Sequence, residues 1–365
     1  MRIHDFAIVG AGIAGASLAA ELAAGGASVV VLEAEERPGY HATGRSAAFW
    51  EECYGGPEIV PLTLASGPYL RHNGFLSPRG ALYLGREDDR RALDSFVARF
   101  AETGAHVERL EGASLQARVP LLRDEWNQGV WEPACADIDV AGLHQHYLAL
   151  GRRGGVDLFC RARLAQARRS AGSWQLATER GEQFSAATLV DAAGAWADQL
   201  ADLAGARPLG IRPLRRTVAQ LRVDPAPAAD LPLVLDINGG FYFKPESGRL
   251  WLSPHDEEPS VPCDAAPEEL AVAEAIDRLE SVTRWRVLAV ERKWAGLRSF
   301  SPDRLPVYGG DPDCEGFAWF AGQGGYGIQT APAAARLAAQ LLLGAPRDTM
   351  TQHLDAALYS PARFG

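Results

Sequence analysis

The feature that most constrains this chain is a glycine pattern near its start, Gly10-x-Gly12-x-x-Gly15 in the run GAGIAG. It lies between an apolar run at residues 5–9 and residues 15–24, where Leu18 and Leu22 share one helical face; Val29, Val30 and Val31 follow, within residues 28–32. Strand, tight turn, helix and second buried strand make a βαβ unit. Gly10 permits the turn, Gly12 lets backbone approach a pyrophosphate, and Gly15 lets the helix pack closely on the strand. Glu33, at the end of the second strand, can accept from a ribose hydroxyl and disfavours a 2′-phosphate. A dinucleotide other than NADP is the implied ligand.

NAD and FAD both satisfy that fingerprint, and a second glycine-rich turn bears on the choice. GQGGYGIQTAP, residues 322–332, follows the apolar run 317–321 and opens a helix over 333–343. In a flavoprotein such a helix N-terminus would meet the ring edge that gains negative charge on reduction. Between the two turns, residues 76–84 and 239–253 alternate apolar and polar side chains, the mark of antiparallel strands with one covered face. Residues 140–152 read as a helix, 174–178 and 188–193 as strands, and the Pro-rich stretches 224–232 and 254–267 as surface connections. The expected architecture is α/β: a Rossmann-like FAD-binding domain made of residues 1–75, 140–212 and 301–365, and a second, α+β substrate-binding domain on an antiparallel sheet made of 76–139 and 213–300.

At 365 residues, 47% hydrophobic and 22% charged, the chain has the composition of a folded globular protein large enough for two domains. A net charge of -10 argues against a nucleic-acid partner. The five cysteines are scattered, with no C-x-x-C pair, which suggests neither a disulfide framework nor a zinc site and fits the cytoplasm. No apolar stretch reaches the ~20 residues of a membrane span, and no secretion signal precedes the first strand. Any membrane association is expected to be peripheral, at the inner face.

GAGIAG with Glu33, RPGYHATGRSAAF (37–49), LVDAAGAWAD (189–198), KWAGLRSFSPDRLPVYG (293–309) and GQGGYGIQT, in this order, resemble the D-amino-acid oxidase (DAO) superfamily of FAD-dependent oxidoreductases. Within it the chain is most similar to the D-arginine dehydrogenase type of D-amino acid dehydrogenase. The resemblance implies non-covalent FAD. Some relatives link the flavin through His or Cys; His41 is a weak candidate, and no cysteine lies near Arg298, where the cysteinyl relatives carry theirs. It places the ADP half on Gly10, Gly12, Ile13, Ala14, Gly15, Glu33 and Ala34. Gly44, Arg45, Ser46 and Ala47 would run along the pyrophosphate and flavin, Ala193, Gly194 and Trp196 near the nucleotide half. Gly324, Gly325, Tyr326, Gly327, Ile328, Gln329 and Arg298 would border the flavin ring.

For the substrate, the resemblance implies that Arg216 and Arg298 clamp an α-carboxylate, with Tyr54 and Tyr242 as hydroxyl donors and Gly325 beside the reacting centre. A guanidinium fork suits a carboxylate because it binds bidentately and stays charged; the neighbouring Arg215 competes with Arg216 for the role. The relative that prefers D-Arg and D-Lys keeps a Glu where this chain has Ala81 and a His where it has Phe49. With Trp50, these suggest an apolar pocket for neutral aliphatic or aromatic D-amino acids, unless Glu51 or Glu52 turns inward. Trp251 falls where the oxidase-type members keep a Lys, favouring a dehydrogenase. The expected reaction moves a hydride from Cα to flavin N5, yielding a 2-oxo acid and ammonia after hydrolysis, with electrons leaving to a quinone or carrier protein. The alternatives are a sarcosine- or proline-type amine oxidase, a 2-hydroxy-acid dehydrogenase, or a non-enzymatic flavin-binding accessory protein.

Overall fold

The computed structural model describes residues 2–47 and 49–365. The βαβ unit forms as its local signals require: strand β1 (Ile3–Val9), helix α1 (Ile13–Ala24) and strand β2 (Val29–Leu32), with β1 and β2 parallel. β1 also pairs in parallel with the strand Gln183–Asp191, which pairs in parallel with Phe317–Ala321. These strands centre an eight-stranded sheet. Helix α1 packs between two others. Leu18 and Leu22 meet Ala334 and Leu337 of helix Ala331–Leu343, while Ala16 and Ala20 meet Leu143 and Tyr147 of helix Val140–Arg153. Each fully buried leucine contributes about 1.5–3 kcal/mol.

The second layer is a nine-stranded, mostly antiparallel sheet. Its longest pair is Arg212–Asp224 against Arg286–Phe300, in a register that sets Leu214 opposite Arg298 and Arg216 opposite Gly296. The alternation over 239–253 resolves into the hairpin Tyr242–Glu246 and Arg249–Ser253. Ser247 and Gly248 connect the two with φ of 51° and 74°, as a type I′ turn demands.

The run 76–84 is not one strand. Leu76–Pro78 joins a separate three-stranded sheet with Ala136–Ile138 and Phe49–Trp50, and Ala81–Gly85 enters the nine-stranded sheet. The break falls at Gly80, where φ is 79° and a Cβ would lie 2.0 Å from the Trp131 ring. No helix among the described residues is long and apolar enough to cross a membrane.

Candidate active site

Two clefts, of about 280 and 160 Å³, share Ile13, Thr43, Arg45, Gly296, Leu297 and Gln323 among their linings and so form one continuous slot between the sheets. The larger begins at the N-terminus of α1. Gly12 caps that helix with no side-chain hydrogen bond, and Thr43 Oγ1 accepts from Ile13 N at 2.9 Å. Gly10 has φ of 101°, and a Cβ there would stand 2.5 Å from Ala192 O; at Gly15 it would stand 1.9 Å from Gly10 O. Gly15 is thus a packing glycine and does not line the cleft, whereas Gly10, Gly12, Ile13, Ala14 and Ala34 do.

Glu33 is buried at the mouth of this turn, its two carboxylate oxygens accepting from Ala11 N at 2.8 Å and Glu35 N at 2.9 Å. It therefore shapes the loop as well as facing the cleft. Glu33→Gln turns an NH₂ toward one of those N–H groups; flavin affinity should fall about 10- to 100-fold, roughly 1.4–2.8 kcal/mol, read by titrating apo-protein with FAD. An unchanged dissociation constant would contradict this role.

Ala193, Gly194 and Trp196 line the far side of the nucleotide cleft. His41 lies there too, against Trp196 (ring centroids 4.6 Å) with Nε2 3.0 Å from Glu35 Oε1. It does not line the second cleft. Arg45 lines both clefts, but its guanidinium is tied to Asp264 and donates to Ala265 O at 3.0 Å and Ala295 O at 3.1 Å. Ser46 and Ala47 line the second cleft; Gly44 lines neither, its N–H held by Gly39 O.

The helix N-terminus opening on the cleft behind Gly10 and Gly12, and the buried Glu33 carboxylate beside it, fit an adenine dinucleotide. The second cleft continues from it along Gly324, Gly325, Gly327, Ile328 and Gln329. At Gly325 a Cβ would stand 2.0 Å from the Tyr54 hydroxyl. Tyr326 is one layer back, edge-on to Tyr54 (6.1 Å) and donating to Arg304 O, and does not line the cleft.

Arg216, Arg298, Tyr54 and Tyr242 converge on this second cleft. Strand alternation decides between the two adjacent arginines: Arg216 lines it, and Arg215 turns to Glu268 at 3.0 Å. Arg216 Nε donates to Asp256 O at 2.8 Å while one of its terminal nitrogens, Nη2, has no hydrogen-bond partner among the described residues. Arg298 donates to Tyr54 OH at 2.8 Å and to Glu257 Oε1 at 2.8 Å, and its Nε has no hydrogen-bond partner among the described residues. Burial, then Arg298, lower the Arg216 pKa. Burial opposes charge on Arg298 as well, but Tyr54 and Glu257 outweigh it and the net shift is upward.

Sequence reasoning missed His255, in the connection after Ser253, which lines the same cleft with φ of 59°. Burial first, then Arg216 and Arg298, push its pKa down to about 3, so it is neutral through the physiological range.

Three expectations need correction. Ala81 does not line the cleft; it sits in the apolar cluster behind Phe49 and Tyr242. Trp50 turns away, its Nε1 donating to Thr63 O at 3.2 Å, so of the expected apolar trio only Phe49 lines the second cleft. Trp251 is likewise outside, donating to Gln220 Oε1 at 3.3 Å under the Lys244 ammonium, and so says nothing about oxygen. Glu51, by contrast, lines the second cleft, with its Oε1 buried.

Residues 5–341 match the family described as DAO, FAD dependent oxidoreductase. The chain is similar to FAD-dependent oxidoreductase domain-containing protein 1 of Bos taurus, 26% identical over 99% of this chain and 85% of the relative. It is 27% identical to glycine oxidase of Pseudomonas aeruginosa, over 97% of this chain and 98% of the other. Among solved structures, glycine oxidase from Geobacillus kaustophilus superposes with a TM-score of 0.85 at 24% identity, covering 99% of this chain and 98% of that one.

Proposed function

Because the chain belongs to the FAD-dependent oxidoreductase (DAO) family, we propose that it is an amino-acid dehydrogenase of the D-amino acid dehydrogenase type, which deaminates D-amino acids oxidatively to 2-oxo acids and ammonia. The observation that carries this reading is the convergence of Arg216 and Arg298 with Tyr54 and Tyr242 in a cleft continuous with the nucleotide slot. FAD, held non-covalently, supplies the acceptor for a hydride from Cα. Glycine oxidase among the relatives supports an amine-bearing substrate. We further propose that the nucleotide layer and the second sheet act as cofactor and substrate domains, and that a quinone or carrier protein takes the electrons.

The protein's own residues bind and orient. Two guanidiniums take the carboxylate, and the tyrosine hydroxyls fix its tilt, which sets the direction of the Cα–H bond. Among the titratable groups lining the cleft, His255 is held near pKa 3 and does not serve as the base, and the reaction asks only that the substrate amine be neutral. The substrate ammonium must therefore lose its proton to solvent before reaction. The anaerobic reduction rate under kcat/KM conditions should rise with pH at unit slope until the free amine's own pKa and then level off; a bell-shaped profile would contradict it.

The reading is tested by anaerobic mixing of holo-protein with D-amino acids, L-amino acids, sarcosine, proline and 2-hydroxy acids, following loss of flavin colour. Fastest bleaching by a D-amino acid, with slow peroxide formation in air, is expected. Fastest bleaching by sarcosine, proline or a hydroxy acid would replace the substrate class, rapid peroxide formation would make the enzyme an oxidase, and no bleaching by any of them would favour an accessory protein.

A further inference from the structure

The two arginines of the clamp meet on one main-chain oxygen. Asp256 O accepts from Arg216 Nε at 2.8 Å and lies 3.5 Å from Arg298 Nη2. Glu257, the next residue, adds its Oε1 at 2.8 Å from Arg298 Nη2 and 3.6 Å from Arg216 Nη2. Two guanidiniums side by side repel each other, so their spacing depends on whatever fixes that shared oxygen. Regular structure does not fix it: Asp256 falls in the connection between the strands Arg249–Ser253 and Glu258–Pro259, just after His255, whose φ is 59°.

Its own side chain does. Oδ1 accepts from Thr217 N at 2.7 Å and Oδ2 from Thr217 Oγ1 at 2.8 Å, and the side chain is 7% exposed. Thr217 is a firm anchor, fully buried in the strand Arg212–Asp224, one edge of which pairs along its whole length with Arg286–Phe300. On the other edge Leu214 and Arg215 pair with Pro259 and Glu258, and Ala219 to Leu221 pair with residues 250–252. Residues 216–218 between them have no strand partner there among the described residues, and the Asp256 carboxylate supplies the acceptor that the ladder lacks. A two-point grip on the side chain fixes Cα and with it the carbonyl that Arg216 and Arg298 share. A carboxylate placed only to balance charge would sit on a guanidinium; these oxygens stay 3.6 Å from Arg215 Nε and 3.9 Å from Arg216 Nε, outside hydrogen-bond reach.

We propose that Asp256 is a positioning residue of the carboxylate clamp: its side chain grips Thr217 so that its carbonyl holds Arg216 and Arg298 at a spacing that one substrate carboxylate bridges. The inference rests on the function proposed above, and it assigns Asp256 no contact with substrate. What matters is hydrogen-bond geometry. Asparagine keeps it, its amide oxygen accepting from Thr217 N and its NH₂ donating to Thr217 Oγ1, whereas alanine lets the connection and both arginines drift.

Holo-protein is titrated with benzoate, following the flavin spectrum, and the melting temperature and flavin content of each variant are measured beside it. Asp256→Ala should raise the benzoate dissociation constant of the flavin-loaded protein about tenfold or more, and Asp256→Asn should stay within about threefold of the parent. Thr217→Val, which deletes only the hydroxyl contact, should raise it about threefold or more, and Thr217→Ser should stay near the parent value, so the test holds even if Asp256→Ala loses its flavin. Tighter benzoate binding in both Asp256 variants would make Asp256 only a counter-charge, and an unchanged constant with a lower melting temperature would make it only a filler of the ladder; either overturns the proposal. Equal weakening by alanine and asparagine overturns it as well. A parent response that does not depend on Arg298 would instead remove the clamp itself, and this inference with it.

Discussion

Arg298→Met is expected to lower kcat/KM by two to three orders of magnitude, with the flavin still bound. Arg298 is 12% exposed at its side chain and meets Tyr54 OH and Glu257 Oε1 at 2.8 Å each, so it reaches the cleft already oriented. Removing one partner of a buried, hydrogen-bonded charge pair costs about 2–5 kcal/mol, and each 1.4 kcal/mol is tenfold. Glu257 keeps Arg304, 3.0 Å away, so the variant does not strand a buried carboxylate. Arg298→Lys should recover part of the binding and little of the rate, because an ammonium restores charge without the planar fork that orients a carboxylate. Steady-state and rapid-reaction kinetics on both variants check this; a loss below about tenfold in Arg298→Met would mean that the carboxylate rests on Arg216 alone.

The second large effect is on folding and cofactor together. A Cβ at Gly15 would lie 1.9 Å from Gly10 O, and the obstacle is backbone, which has no rotamer in which to retreat. Gly15→Ala must therefore push α1 off β1, in a core whose Ile8, Leu18 and Leu22 are fully buried. The expected loss is more than about 4 kcal/mol out of the roughly 5–15 kcal/mol a domain has, giving colourless, aggregation-prone protein. Gly26→Ala is the control: its φ of 89° disfavours a side chain, whereas Gly15 has helical backbone, but nothing lies within 4 Å of the added methyl. It should keep its flavin and lose only a modest part of its melting temperature. Thermal unfolding and flavin content, measured side by side, distinguish steric from conformational cost; equal losses would contradict the packing role of Gly15.

What could be read in advance tracks where local signals agree. In β1, α1 and β2, turn chemistry, apolar periodicity and β-branched residues all favour the same unit, so the nucleotide end was legible down to Glu33. The hairpin around Ser247 and Gly248 was legible for the same reason. The break at Gly80 was not, because the Trp131 ring that enforces it comes from a strand some fifty positions later. Neither was the choice between Arg215 and Arg216, which only the register against Gly296 and Leu297 settles. Glu51 lines the cleft while Trp50 turns to Thr63, a packing fact invisible along the chain. His255 escaped notice because a Pro-rich stretch reads as surface, whereas here it folds back over the two arginines. Ala81 was aligned to a specificity position and lies a layer behind it.

The central claim is that one slot holds FAD with a guanidinium anchor beside it. Titration of holo-protein with benzoate, a carboxylate that cannot be oxidised, tests it most directly. The account predicts a saturable change in the flavin spectrum that is abolished or displaced to far higher benzoate in Arg298→Met. Protein that takes up no flavin on reconstitution, or a benzoate response indifferent to Arg298, would contradict it.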